Sequence, residues 1–449
     1  MHESTRRTVC RVAFLALCVA PTVAVLAWAA HVRSPNRVID AERELSSAFE
    51  LAVSIDAIDD PRPGVVVYSG VVLCDVGSRR VIAEIATLEA TELAEGVALV
   101  APRVEVDATQ LDLLWRAVDR LLRIGRTTGH PAVRLSIDRV TLHGAAGDAI
   151  TLGNVAGQLT CGDESSRAGL RFSLPGANAG EPALLVVQRS HGAGTGVVRL
   201  ELRTGGVPLP LAVARTVFPS LAHLGERATF AGQLWASTTD RSDESWTGEL
   251  TGRLVQADLD ALVTRQFGHK LSGEAEITLQ KLAFDEGRVS RMVGRCDAGP
   301  GVVGRSLLEA AAQSLAMRMA TSDARDARDL IEYEQFAFAF DIDGRNARLE
   351  GTARLEGTSA AARQLNDGPD ASLAVVRDAF GPLLLPAERQ PQPALGIVRM
   401  LVPASDVQIP ASRESDWLLR RLPIADAASS AASPRATLRD AAVQESSPK

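Results

Sequence analysis

Between Gln335 and Glu356 the chain alternates strictly in polarity. Phe336, Phe338, Phe340 and Ile342 are separated by Ala337, Ala339 and Asp341. After Asp343-Gly344-Arg345-Asn346, Leu349, Ala353 and Leu355 alternate with Arg348, Glu350, Arg354 and Glu356. A period of two belongs to strands, because successive side chains leave a strand on opposite faces. Two such runs joined by a short Asp-Gly turn predict an antiparallel hairpin with one apolar and one polar face. The apolar face must be covered by the chain's own helices or by something else.

The same signature recurs along the body. Strand-like runs of 6 to 12 residues stand at 64–74, 80–88, 97–106, 132–143, 149–160, 183–189, 196–203, 228–236, 246–255, 271–284, 333–342 and 346–356, divided by Gly, Pro, Asp and Asn. They predict a mainly β fold of long, curved antiparallel sheet. Helices interrupt the strands rather than alternate with them. Residues 109–123 set Leu111, Leu114, Trp115, Val118, Leu121 and Leu122 on one stripe, and shorter helical patterns occur at 209–223, 256–267, 304–320, 371–380 and 394–402.

Arg6, Arg7 and Arg11 precede an uncharged stretch from Val12 to Ala30. As a helix its 19 residues would span roughly 28 Å, near the ~30 Å of a bilayer's hydrocarbon core and longer than the apolar core of a signal peptide. A retained single-pass anchor at 12–30 is expected. The preceding arginines would leave residues 1–11 in the cytoplasm and carry the body across the membrane, with Trp28 at the far interface. Ala27-Trp28-Ala29 also fits a signal-peptidase pattern, so cleavage after Ala29 stays open. Leu15-Ala16-Leu17-Cys18 fits a lipoprotein box poorly, since Leu17 is not small.

Other motifs argue against chemistry. With 48 basic and 55 acidic residues, a net charge of −7 and 4% aromatics, the chain lacks the basic, aromatic footprint of a nucleic-acid binder. Gly299-Pro300-Gly301-Val302-Val303-Gly304 satisfies GxGxxG, and Asp323 and Asp326 follow at about the distance of a ribose-binding acid. The strand after it alternates as antiparallel sheet does, so a tight strand-to-helix turn is expected instead of a nucleotide site. Gly192-Ala193-Gly194-Thr195-Gly196 joins two strands as a hairpin loop. The seven histidines are dispersed, no GxSxG elbow is present, and Asp56-Asp59-Asp60 and Asp240-Asp243-Glu244 fall in polar turns. Cys74, Cys161 and Cys296 are expected as small apolar fillers, with at most one disulfide among them. No catalytic, metal or cofactor residues are assigned and no enzyme is expected.

Residues 226–356 resemble the carboxy-terminal region of AsmA-like proteins, the envelope group that includes AsmA and TamB. The resemblance lies in phrases and their order. Phe230-Ala231-Gly232-Gln233-Leu234 opens the stretch and Ala257-Asp258-Leu259-Asp260-Ala261-Leu262 begins a short helix. Leu271-Ser272-Gly273-Glu274-Ala275 and Leu282-Ala283-Phe284-Asp285-Glu286-Gly287-Arg288 follow. The turn at 299–304, Ser306-Leu307-Leu308-Glu309-Ala310-Ala311 and Tyr333-Glu334-Gln335-Phe336 close it. The resemblance implies an AsmA-like groove of curved sheet behind an N-terminal transmembrane helix. The protein would sit in the inner membrane by residues 12–30, with its body in the periplasm. Its role would be phospholipid handling, phospholipid transport or outer-membrane assembly.

The expected layout is thus a cytoplasmic segment 1–11, an anchor 12–30, a β-rich region 38–225, an AsmA-like region 226–425 with helices, and a disordered tail 426–449. Phe336, Phe338, Phe340 and Ile342 either pack under the helix at 305–320 or line a groove for the acyl chains of phospholipid. The alternative function is an anchored envelope scaffold that docks another envelope protein and holds no lipid.

The tail from Asp426 is small and polar throughout, with too little apolar surface to offset the entropy of ordering. Removing it should leave the melting temperature unchanged within about 1 °C by circular dichroism; a loss of several degrees would show that it packs on the body.

Overall fold

The computed structural model describes residues 9, 11–32, 36–49, 51–128, 132–144, 149–174, 181–191, 196–215, 219–239, 246–286, 288–320, 328–353, 374–386, 391–402, 418 and 422. The tail from Asp426, residues 1–8, the glycine loop at 192–195, Asp240-Asp243-Glu244, Asp323 and Asp326 lie outside them. The protein is mainly β, a long mixed sheet with short helices. Its contacts divide it into two compact units, Met1–Val198 with Thr216–Phe218, and Arg199–Arg215 with Pro219–Lys449.

The uncharged N-terminal run is helical but divided. A π turn at Leu15–Val19 precedes α1 (Ala20–Val32). Pro21 cannot donate to the carbonyl four residues back, and one turn earlier the ladder slips to an i+5 bond from the Ala20 N–H to the Leu15 carbonyl. No helix among the described residues is long and apolar enough to cross a membrane. The 13 residues of α1 reach about 20 Å, short of a bilayer's ~30 Å. The single spanning helix expected over 12–30 is therefore not found as one element.

The first unit continues with α2 (Asn36–Phe49), β1 (Ala52–Ser54), β2 (Ala57–Arg62), β3 (Val65–Cys74), β4 (Val81–Leu93) and β5 (Gly96–Asp107). Then come α3 (Leu111–Thr128), β6 (Ala132–His143), β7 (Ala149–Cys161), β8 (Ser165–Ser173) and β9 (Ala183–Ser190), while β10 (Val197–Arg203) carries the boundary residues. The amphipathic α2 falls where no helix is expected. It closes the edge of the sheet, for Glu42 and Ser46 accept the backbone N–H groups of Ile55 and Val53 at 2.9 and 3.0 Å. Its Val38, Ala41 and Leu45 pack on Val53, Ile55 and Val71.

One pairing corrects the expectation of purely antiparallel sheet. β5 and β6 run parallel, in register from Gly96↔Ala132 to Asp107↔His143. A hairpin turn returns the chain antiparallel, whereas the 18-residue α3 carries it back to the starting end of β5. The Asp107 carboxylate accepts the Thr109 N–H at 2.8 Å and opens that crossover. Leu113, Leu114 and Ala117 of α3 cover Ile82 and Leu51. Opposite them, Asp119 meets the buried Arg189 of β9 at 2.5 Å and Arg123 at 2.8 Å.

The second unit contains β11 (Leu209–Pro210), β12 (Thr229–Thr239), β13 (Thr247–Asp258), β14 (Glu274–Asp285), β15 (Arg288–Ala298), β16 (Gly301–Gly304) and α4 (Arg305–Ser314). It ends with β17 (Arg318–Met319), β18 (Leu330–Tyr333), β19 (Gln335–Asp343), β20 (Asn346–Gly351), β21 (Val376–Asp378), β22 (Gly381–Leu385), β23 (Gln392–Pro393) and α5 (Leu395–Leu401). Strands β12 to β15 meander, β15 then pairs with β19, and β19 pairs with β20. The hairpin at Asp343-Gly344-Arg345-Asn346 is as expected, with Asp343 opposite Asn346.

The helical patterns fare unevenly. Those at 304–320 and 394–402 become α4 and α5. The pattern at 256–267 shrinks to a π turn at Asp260–Thr264, and 209–223 becomes β11 with short 3-10 turns at Val213–Arg215 and Pro219–Leu224. Pro219 explains the second, since it removes a donor in the interior of that pattern. At 371–380, Val376–Asp378 is a strand and 371–373 lies outside the described residues.

Arg189 is 3% exposed, so the Asp119 carboxylate neutralises a charge that water does not reach. Asp119→Ala should destabilise the first unit by roughly 2 kcal/mol in urea unfolding, because it removes a charge-assisted hydrogen bond to a buried guanidinium. A change under about 0.5 kcal/mol would show the pair to be no better than a surface one.

Candidate functional site

The apolar face of the second unit is built row by row from strand register. One row runs Phe230, Leu254, Ile277, Cys296, Phe338 and Gly351 across β12, β13, β14, β15, β19 and β20. The next runs Gly232, Gly252, Leu279, Gly294, Phe340 and Leu349, and a third Leu234, Leu250, Leu282, Met292, Ile342 and Ala347. Register shifts in β13–β14 and β14–β15 keep the apolar residues on one side where simple alternation would turn them over.

The middle row depends on glycine. A Cβ on Gly294 would lie 2.4 Å from the Thr278 carbonyl oxygen and 2.8 Å from Cζ of Phe340, its cross-strand neighbour. Gly252, at φ +148°, would bring a Cβ within 2.9 Å of the Phe230 ring. The rings of Phe340 and Phe230 thus lie on bare backbone of the neighbouring strands, an aromatic cover over glycine that keeps an otherwise thin row dry.

The four residues expected to form the stripe are together on this face. Phe340 and Ile342 are 8% and 4% exposed, while Phe336 and Phe338 are half-buried. Their rings form a ladder, edge to face at 5.3 Å between Phe336 and Phe338 and tilted at 5.9 Å between Phe338 and Phe340. All four belong to one cluster with Leu307, Leu308 and Ala311 of α4, Leu315 just after α4, Ile397 and Val398 of α5, and Leu418. The hairpin is therefore one side of a layered core whose other side is a two-helix cover.

Cys296 and Met292 were not anticipated on this face. Their signal was present in Met292-x-Gly294-x-Cys296-x-Ala298, offset by Arg291, Arg295 and Asp297. Burial, and secondarily the charge of Asp297, pushes the Cys296 thiol up to about 12. It is inert as a nucleophile. Cys74, Cys161 and Cys296 are free thiols, with Cys74 and Cys161 half-buried. Tyr333 is pushed up to about 12 by burial, and its hydroxyl donates to the Ser272 carbonyl at 2.7 Å.

The outward face of the same strands is charged and self-compensating. An open groove of about 500 Å³ there is lined by Glu274, Glu276, Asp297, Glu334, Gln335 and Arg377 among others. Each carboxylate has an arginine. Arg227 meets Glu274 at 2.5 Å, Arg253 meets Glu276 at 3.2 Å, Arg295 meets Asp297 at 2.5 Å and Arg377 meets Glu334 at 2.8 Å. Among the described residues no group of three or more His, Cys, Asp or Glu could hold a metal ion.

The GxGxxG segment is a strand and a turn. β16 pairs antiparallel with β18 and runs directly into α4, so no parallel βαβ unit surrounds it. Gly301 is needed for packing, since a Cβ there would meet the Ser272 carbonyl oxygen.

No protein-family model, curated protein or solved structure matches the chain.

Gly294→Ala should cost about 2 kcal/mol in urea unfolding, because the added methyl overpacks Phe340 and presses on backbone. A neutral result would mean that the ring does not sit on the strand.

Proposed function

We propose that this chain is a membrane-anchored periplasmic protein of the AsmA-like type, acting without catalysis in phospholipid handling or outer-membrane assembly. In this reading residues 12–30 hold it in the inner membrane with its N-terminus cytoplasmic. The apolar face of the second unit takes acyl chains, each buried CH₂ contributing about 0.8 kcal/mol. The observation that carries the reading is the run of apolar rows across β12 to β15, β19 and β20, with Phe336 and Phe338 only half-buried at its margin.

The anchor is supported by surface rather than by helix length. Phe14, Leu17, Val23, Val25 and Leu26 are 57–76% exposed, and the run from Val12 to Ala30 carries no charged side chain, its Thr22 hydroxyl being bonded back to the Cys18 carbonyl at 2.7 Å. A helical segment apolar all round needs an apolar surrounding, and the π turn adds only a local widening to it.

A second reading is favoured by a different observation. α4, α5 and Leu418 already pack on the sheet face and share its cluster, so the face is also a sound protein core. On that basis the chain would be an anchored envelope scaffold that docks a protein partner and binds no lipid.

Lipid analysis separates the two. The full chain, purified in detergent and washed to constant lipid content, should retain about one or more phospholipids per chain by mass spectrometry, and Phe338→Asp should lose them. Lipid-free wild type supports the scaffold. Equal lipid in both proteins means an annulus around the anchor and also contradicts the groove.

A further inference from the structure

One buried histidine sits where the cover is fastened. His269 lies in the loop between the π turn at Asp260–Thr264 and β14, and its side chain is 4% exposed. Nδ1 is 3.0 Å from Ser306 Oγ in the first turn of α4. Among the described residues Nε2 is enclosed without a well-formed hydrogen bond, although the Met400 backbone in the last turn of α5 offsets part of the burial. The two helices also rest on each other, since Gly396 of α5 leaves no room for a Cβ against the Ser314 carbonyl. The ring is thus where loop, α4 and α5 meet, above the apolar sheet face that Leu307, Leu308, Ile397 and Val398 cover.

We propose that His269 is a pH-sensitive latch on this two-helix cover, and that protonating it releases α4 and α5 from the sheet. A neutral imidazole fits the site because Ser306 can donate to Nδ1 or accept from it. An imidazolium would be a charge in a nearly dry pocket with no carboxylate paired to it among the described residues. The charged groups named on the adjoining elements are paired with one another or exposed. Lys270 pairs with Asp260 and Arg265 reaches the same carboxylate at 3.5 Å. Arg305 pairs with Glu309 at 2.8 Å, and Arg399 is exposed.

Burial accordingly holds the ring's pKa below the ordinary 6.5, and the sign follows. The opened form, with the ring in water, binds a proton near pH 6.5 while the closed form does not, so closure is complete above that value and weakens as pH falls below it. At pH 5.5 an unburied ring is mostly protonated, which raises the open fraction by up to about tenfold. The latch goes beyond the proposed function, since it concerns the cover whatever the sheet face holds.

Hydrogen exchange on the full chain tests it. With intrinsic rates corrected for pH, amides of 305–315 and 395–402 should lose up to about tenfold protection between pH 7.5 and 5.5, while those of β6 and β7 hold theirs. His269→Gln should abolish the difference. Equal protection at both pH values, an equal loss in β6 and β7, or the same loss in His269→Gln overturns the latch. If His269→Gln does not fold, imidazole NMR of the wild type decides. A ring titrating below 6.5 together with the Ile397 and Val398 methyls supports the latch, and a ring titrating at its ordinary value with those methyls unmoved overturns it. Lipid content is not read here, so failure of the latch and failure of the lipid reading are separate results.

Discussion

The second unit depends on aromatic rings lying on bare backbone. Phe340 sits over Gly294 and Phe230 over Gly252, so two of the largest apolar side chains are buried by strands that offer no side chain there. Each ring contributes roughly 2 to 3 kcal/mol of burial, and each glycine gives up a few tenths to one kcal/mol of strand preference. The exchange is favourable only while both members are present. It brings six strands into one register whose apolar residues all point the same way, and everything on that face follows from it.

Electrostatics work on the opposite side by cancellation. Along β13, β14, β15 and β19 the outward face carries acids and arginines placed within reach of one another, as in Arg253–Glu276 and Arg291–Asp341, the latter at 3.1 Å. Exposed pairs of this kind add little stability. Their effect is on partition, since paired charges on one face and apolar rows on the other favour burial of the face that carries Phe338 and Phe340. The two-helix cover then completes a layered core, with His269 as a buried titratable group where the helices meet the loop.

Much of this was legible in the sequence because strands keep a period of two. The hairpin of β19 and β20 and the membership of Phe336, Phe338, Phe340 and Ile342 in one face came directly from alternation. What was not legible came from interactions between distant residues. The parallel pairing of β5 with β6 follows from where α3 ends in space. The helix α2 was hidden because its polar residues Ser46 and Glu42 are spent on the backbone of Val53 in β1 and of Ile55 just after it. The contribution of β15 was obscured by Gly294, which breaks the apolar pattern where Phe340 fills it from the next strand. The helix expected at 209–223 failed because Pro219 interrupts the apolar stripe.

The central claim is that the face carrying Phe338 meets acyl chains in the working protein. A photoreactive benzoylphenylalanine at position 338 of the full chain, irradiated in intact cells, tests this most directly. The account predicts crosslinks to phospholipid acyl chains at position 338 and none from a control at the outward-facing Arg295. Crosslinks at position 338 confined to the chain's own α4 and α5 would contradict it and leave the face as ordinary core.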